Sequence, residues 1–293
     1  MRESIAETFR RPVTVAAALE RGIGYERMRR SDLDARVWGV RCAEPLERLD
    51  AQARAVVERM REGTVVSHDT AALLHDLPLP PGRGSDAIHL TVGDGRAPHA
   101  RGLRGHRAPL SPDDVVLCHG LAMTSIERTL IDLAATLELA DLVAALDAAV
   151  RRDGSLVSRL VRRCRTTWRG VRALRRAIEL CDPESRSPQE SRLRVLLVEA
   201  GLPVPAVNVD VRDRRGRFIG IADFYLPDFR IVIEYESEFH RTDPRQWRKD
   251  LRRFSRYTAS GYLPLRATIA DVVNPAALIR DIREIMAHAP DSR

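Results

Sequence analysis

Lysine is almost missing from this 293-residue chain: of 48 residues that are Lys or Arg, only Lys249 is a lysine. Arginine codons are GC-rich, so a GC-rich genome accounts for the choice of arginine over lysine. It does not account for the sign of the net charge, which is +7. A basic balance favours anionic partners such as nucleic acid. Cysteine is scarce as well. Cys42, Cys118, Cys164 and Cys181 are widely spaced, with no CxxC pair. That speaks against a disulfide framework or a cysteine zinc site and suits reduced thiols in a cytoplasm. No apolar run approaches the ~20 residues of a membrane span. The opening MRESIAETFRR has no apolar core, so no secretory signal is expected. Cytoplasmic localisation, with no membrane partner, is therefore expected. Internal repeats and low-complexity tracts are missing too.

What is present begins with a helical pair. VTVAAALERGIGYERMRR, residues 13–30, reads as helix, glycine turn, helix, with Thr14 as N-cap and Gly22 and Gly24 as breakers. The second piece carries Arg27, Arg29 and Arg30. DARVWGVRC then reads as a short strand or hairpin with Arg36 and Arg41. A helix-turn-helix followed by a wing is the outline of a winged-helix reader of double-stranded DNA. Those five arginines are its candidate DNA contacts.

Further along, PLERLDAQARAVVERM is expected to be helical, and GTVVSHDTAALLHDLPLP reads as a strand, then a helix capped by Ser67. AIHLTVG and DVVLCHGLAM read as strands around a basic loop or edge hairpin. TSIERTLIDLAATLELADLVAALDAAVRRDG opens with a Thr124–Glu127 capping box and continues as two amphipathic helices. His68 and His75 stand two helical turns apart, about 10 Å along the axis, and cannot share a metal; structural roles are expected for both. A basic helical connector follows, and DPESRSP marks a boundary.

The C-terminal part holds an anomaly. SPQESRLRVLLVEAGLPVP is a well-punctuated helix, with Ser187 as N-cap, Pro188 at N1 and Glu190 at N3, where it is either a capping glutamate or part of the inward face. IADFYLPDFRIVIEYESEFH reads as two apolar strands joined by a turn at Asp228, yet it carries Asp223, Glu234, Glu236, Glu238 and His240. Register across the turn brings Asp223 and Glu234 to neighbouring strand ends. Carboxylates clustered on an apolar strand repel each other and are costly to bury. A divalent cation removes both penalties, and Mg²⁺ (or Mn²⁺) can also clamp a phosphate and activate water. Asp223 and Glu234 are the candidate metal ligands. Glu238 reads as a charged residue on a solvated edge.

SPQES, LPVP, ADFYLPDFRIVIEYESEFH and DLRRFSRYTASGYLPLRAT, in that order, resemble the very-short-patch-repair-like endonuclease branch of the PD-(D/E)xK superfamily over roughly residues 187–285. The resemblance implies Mg²⁺-dependent hydrolysis of phosphodiester bonds in DNA. It places the family's motif residues on Glu190, Asp223, Glu234 and His240, then on Asp250 and Arg253, then on Gly261 and Tyr262 leading to Arg266. Glu190 would support the metal or a water, and His240 would act as general base or phosphate contact. Two departures stand out. Glu236 and Ser237 replace the family's usual Asp-Gly, and Glu236 also sits where the superfamily has its active-site lysine, a role for which His240 is the candidate.

The first 150 residues, through the helical pair, VVSHDTAALLHDLPLP and MTSIERTLIDLA, resemble the AbiEi-type antitoxins of type IV toxin–antitoxin systems. This implies binding to operator DNA and a cognate toxin protein as partner. The expected fold is an α+β N-terminal half with a winged helix-turn-helix and an α/β, restriction-endonuclease-like C-terminal domain with a mixed central sheet. The expected divisions are 1–45, 46–155, a connector at 156–186, and 187–293. Two functions follow: a DNA-binding protein with a Mg²⁺-dependent endonuclease domain or, alternatively, a catalytically inactive antitoxin-like transcriptional regulator.

Overall fold

A computed structural model of the chain describes residues 8–288, leaving aside 11, 45, 85, 119, 165–167 and 237–243; for 244–248 it describes the backbone. The fold is α+β and divides into two compact units, Met1–Thr136 and Leu137–Arg293. No described helix is long and apolar enough to cross a membrane.

The first unit runs β1 (Val13–Thr14), α1 (Val15–Glu20), α2 (Tyr25–Met28), β2 (Val40–Arg41), α3 (Leu49–Val57), β3 (Val65–Val66), α4 (His68–Leu74), β4 (Ile88–Val92), β5 (His99–Ala100), β6 (Leu103–Arg107), β7 (Val115–Cys118), β8 (Leu121–Thr124) and α5 (Ile126–Leu133). Thr14 caps α1, its Oγ1 accepting from Ala17 N at 3.0 Å. The small β1–β2 ladder pairs Val13 with Arg41. Among the described residues a six-stranded mixed sheet has the order β5-β6-β4-β3-β8-β7, so the basic segment at 96–110 does form an edge hairpin. β4 is buried along its whole length, and Leu90, Val66 and Met123 form a core with Ala53 and Val56 of α3. The cap of α5 lies one residue later than expected. Ser125 is the N-cap and accepts from Arg128 N at 3.3 Å, because Thr124 ends β8 and shares a 2.7 Å hydrogen bond with Thr129 instead.

The second unit runs α6 (Leu139–Arg152), α7 (Leu156–Arg163), α8 (Val171–Leu180), α9 (Pro188–Glu199), β9 (Ala206–Arg212), β10 (Phe218–Leu226), β11 (Ile231–Tyr235), α10 (Pro244–Ala259), β12 (Leu263–Ala267), α11 (Ile269–Val273) and α12 (Ala276–His288). The sheet order is β12-β11-β10-β9, with β11 and β12 parallel and the other pairs antiparallel. Both faces of β11 are buried. Ile231 and Ile233 pack with Leu193 and Leu197, while Val232 packs with Tyr257. This division falls at a different place from the expected domain boundaries. Helix α6 belongs with the C-terminal part because Arg194 of α9 is buried and needs a carboxylate, which Asp147 of α6 supplies at 2.8 Å. Asp141 of α6 likewise pairs with Arg192 at 2.6 Å. The loop at 182–188 looks like a boundary by composition, yet these ion pairs connect the helices on either side of it.

Candidate functional site

The β10–β11 ladder pairs Phe224 with Ile233, which leaves Asp223 and Glu234 one step further along neighbouring strands. Glu234 is buried, 6% exposed. Its Oε2 accepts from Arg253 Nη2 at 3.0 Å and its Oε1 accepts from the Tyr257 hydroxyl at 3.0 Å, both from α10. Burial pushes its carboxyl up to about 7; Arg253 and Tyr257 pull against that, and Asp223 adds to it. Asp223 is half-buried, and its Oδ2 accepts from Tyr235 N at 2.7 Å. Burial and, behind it, the Glu190 charge raise its carboxyl, while the Tyr235 amide lowers it.

Glu190 sits at N3 of α9, with Ser187 Oγ accepting from its amide at 3.2 Å. Its Oε2 accepts from Arg186 N at 2.9 Å and from Asn208 Nδ2 at 3.2 Å. Glu236 pairs with Arg266 at 2.9 Å. Asp250 and Arg253 meet at 3.3 Å on one face of α10. Ser237, Glu238 and His240 lie outside the described residues.

A magnesium ion fits this set poorly. Both oxygens of Glu234 are engaged, and a guanidinium already sits where a cation would compensate its charge. Asp223 and Glu190 close hydrogen bonds to backbone amides. Among the described residues, these carboxylates do not form a group of three converging ligand atoms.

The candidate DNA contacts fall into two groups. Arg27 forms a two-pronged pair with Asp32 at 3.0 and 2.9 Å. Arg41 donates to Met28 O at 2.6 Å and Val40 O at 2.8 Å, and Arg36 pairs with Asp34 at 3.1 Å. Arg29 and Arg30 are exposed just beyond α2, which is only four residues long. Arg36 and Arg41 also line a cavity of about 760 Å³ together with Trp38, Arg59 and Arg101. Trp38 is 41% exposed, and the Arg59 guanidinium carbon lies 4.5 Å from the centroid of its ring. Gly39, at φ +66°, is required there: a Cβ would run into the Arg59 guanidinium.

Trp38 lies in the hairpin stretch whose arginines alone the sequence singles out, and Arg59 and Arg101 come from segments far from it in the chain. A more distant group was missed entirely. His68, His89 and His106 converge in the first unit, whereas His75, as expected, is structural, its Nε2 lying 2.7 Å from Thr124 O. No short spacing announces the trio.

No family model matches the chain. Two proteins from strains of Mycobacterium tuberculosis, Uncharacterized protein MT2308 and Uncharacterized protein Rv2248, are each 28% identical over 156 residues, 52% of this chain. The chain spans 57% of their length. The crystal structure of RV2827C protein from Mycobacterium tuberculosis is similar at 19% identity and a TM-score of 0.43, covering 71% of this chain and 85% of that one.

Proposed function

We propose that this protein is a DNA-binding regulator of the antitoxin type, held on duplex DNA by its first unit. The observation that carries this reading is the cleft lined by Arg36, Arg41, Arg59, Arg101 and the exposed Trp38. Arginines contact phosphate without reading sequence, and each neutralised phosphate releases counterions. Arg29 and Arg30, exposed just beyond α2, extend the basic surface. Arg27 is held by the Asp32 carboxylate, and Arg41 holds the carbonyls of Met28 and Val40. The committed oxygens of Glu234 favour a regulator over an enzyme, since Arg253 already offsets the charge of this carboxylate. A cognate toxin is the protein partner this reading implies. Titration of the full chain with duplex DNA tests it. Log K should fall with log salt at a slope of about −0.9 per phosphate engaged, and Arg59→Ala should make that slope shallower by about one phosphate. Binding indifferent to salt would sink the proposal.

A second reading, a Mg²⁺-dependent endonuclease, is favoured by two observations. Elements α9, β9, β10, β11, α10 and β12 follow the order helix, three strands, helix, strand around a mixed sheet, in keeping with a restriction-endonuclease-like core. Asp223 and Glu234 also stand at adjacent strand positions. Nicking of supercoiled plasmid in Mg²⁺ or Mn²⁺, lost in Asp223→Asn with the fold intact, would establish that reading in place of the regulator.

A further inference from the structure

Three histidines that belong to no short motif meet inside the first unit. His68 opens α4, His89 lies on β4 and His106 on β6. Strands β4 and β6 run parallel with His106 opposite Thr91, so His89 and His106 are diagonal neighbours. Strand β3 leads directly into α4 and pairs Val66 with Leu90, which brings His68 to the same place. The rings of His68 and His106 stack with centroids 3.5 Å apart and planes within 11°. His89 Nδ1 and His106 Nε2 are 3.2 Å apart. One ligand nitrogen from each histidine lies within 4.8 Å of the other two.

The rings are buried or half-buried, and burial disfavours their charged form. Burial, reinforced by repulsion between the rings, holds His68 down to about 2 and His106 to about 4, and burial lowers His89 as well. Neutral imidazole is the form that ligates a metal. Two nitrogens about 2.1 Å from a tetrahedral zinc stand about 3.4 Å apart. The His89–His106 spacing of 3.2 Å is close to that; the widest pair must close in as the stacked rings part. Oxygens face the outer nitrogens. Ser67 Oγ is 3.0 Å and Asp132 Oδ2 3.8 Å from His68 Nδ1, and Asp69 Oδ2 is 3.9 Å from His89 Nε2. Metal-ligating histidines are oriented by partners of this kind.

Asp132 supplies an independent sign. Its side chain is 9% exposed and its Oδ1 accepts from Arg128 at 2.9 Å, but its Oδ2 has no hydrogen-bond partner. A buried carboxylate oxygen without a donor is costly. A cation on the far nitrogen of His68 would keep a proton on Nδ1 and make that N–H a stronger donor towards Asp132. Beside the rings lies a cavity of about 270 Å³, lined in addition by Arg83 and Arg104.

We propose that His68, His89 and His106 hold one divalent cation of the zinc class, with a fourth coordination position open to this cavity, where Arg104 favours a small anionic oxygen ligand. Three imidazoles with an open position form a donor set typical of Zn²⁺ and not of Mg²⁺.

The test uses the full chain, stripped with EDTA, dialysed, and titrated with Zn²⁺ and Co²⁺. The expected result is one zinc per chain by elemental analysis. Bound Co²⁺ should give the visible absorption of a four-coordinate nitrogen–oxygen site, with no thiolate charge-transfer band. His106→Gln, at a half-buried position, should keep its circular dichroism and bind zinc at least about ten-fold more weakly. Clearly substoichiometric zinc, a thiolate band, or undiminished zinc binding in folded His106→Gln would each overturn the proposal. Should that variant fail to fold, the Co²⁺ spectrum of the native chain decides: the nitrogen–oxygen spectrum supports the site, and a thiolate band or no visible band overturns it.

Discussion

The carboxylate cluster of the second unit and the histidine cluster of the first settle their charges differently. Glu234 has Arg253 and Tyr257 in hydrogen-bond contact, Asp223 has the Tyr235 amide, and Glu190 has Arg186 N and Asn208. The histidines bond to one another and to a hydroxyl: His89 Nδ1 and His106 Nε2 stand 3.2 Å apart, and His68 Nδ1 lies 3.0 Å from Ser67 Oγ. The carboxylate oxygens facing them stand at 3.8 and 3.9 Å, and Asp132 Oδ2 is left without a donor. A buried polar atom without a partner calls for an explanation, and a bound ion is one. The residues that resemble a metal site by sequence accept hydrogen bonds from their neighbours, although Arg253 Nε beside Glu234 is buried without a partner too, and the histidines meet elsewhere in the chain.

Removing one partner from a closed pair should produce the largest effect. Asp147→Ala strands the buried Arg194 guanidinium and should destabilise the second unit by about 3–5 kcal/mol in chemical denaturation. Glu234→Ala should follow at about 3 kcal/mol, because it orphans the Tyr257 hydroxyl and leaves Arg253 with Asp250 alone. Glu234→Gln, a mimic of the protonated acid, should cost far less; an equal cost for both variants would show that charge, not hydrogen bonding, holds this cluster.

Acid should act on the two clusters in opposite directions. The Glu234 carboxyl is raised from 4.5 to about 7, so the folded state binds its proton more tightly than the unfolded one. That stabilisation, at most about 3 kcal/mol, is complete below the unfolded value and is lost as pH rises towards the folded one. In metal-free protein His68 and His106 are lowered from 6.5 to about 2 and about 4. Here the unfolded state binds the extra protons, so stability is present above 6.5 and lost as pH falls. Between neutral pH and mildly acidic pH, amide exchange corrected for its intrinsic rate should accelerate on β4 and slow on β11. Glu234→Gln should remove the β11 response only. Parallel shifts on the two strands would break the contrast.

The smallest effect belongs to the basic cleft. Gly39→Ala should push Arg59 off Trp38 and weaken DNA binding a few-fold, with a salt slope shallower by about one phosphate, matching Arg59→Ala. An unchanged slope would mean that Arg59 is only a packing partner of the tryptophan.

The sequence by itself determined the local elements. Thr14 and Ser187 cap their helices as expected, Pro188 opens α9, and the apolar alternation around Pro227 yields the antiparallel β10–β11 pair that sets Asp223 beside Glu234. These features depend on residues within a few positions of one another, where capping chemistry and side-chain period are written directly in the chain. Tertiary structure alone decided the rest. Arg253 takes up Glu234 from 19 residues away, Asp147 reaches Arg194 across 47, and a parallel β4–β6 ladder carries His106 to His89. Burial creates the demand for each of these partners. Strand order and helix packing choose which distant residue meets it, and neither composition nor periodicity encodes that choice.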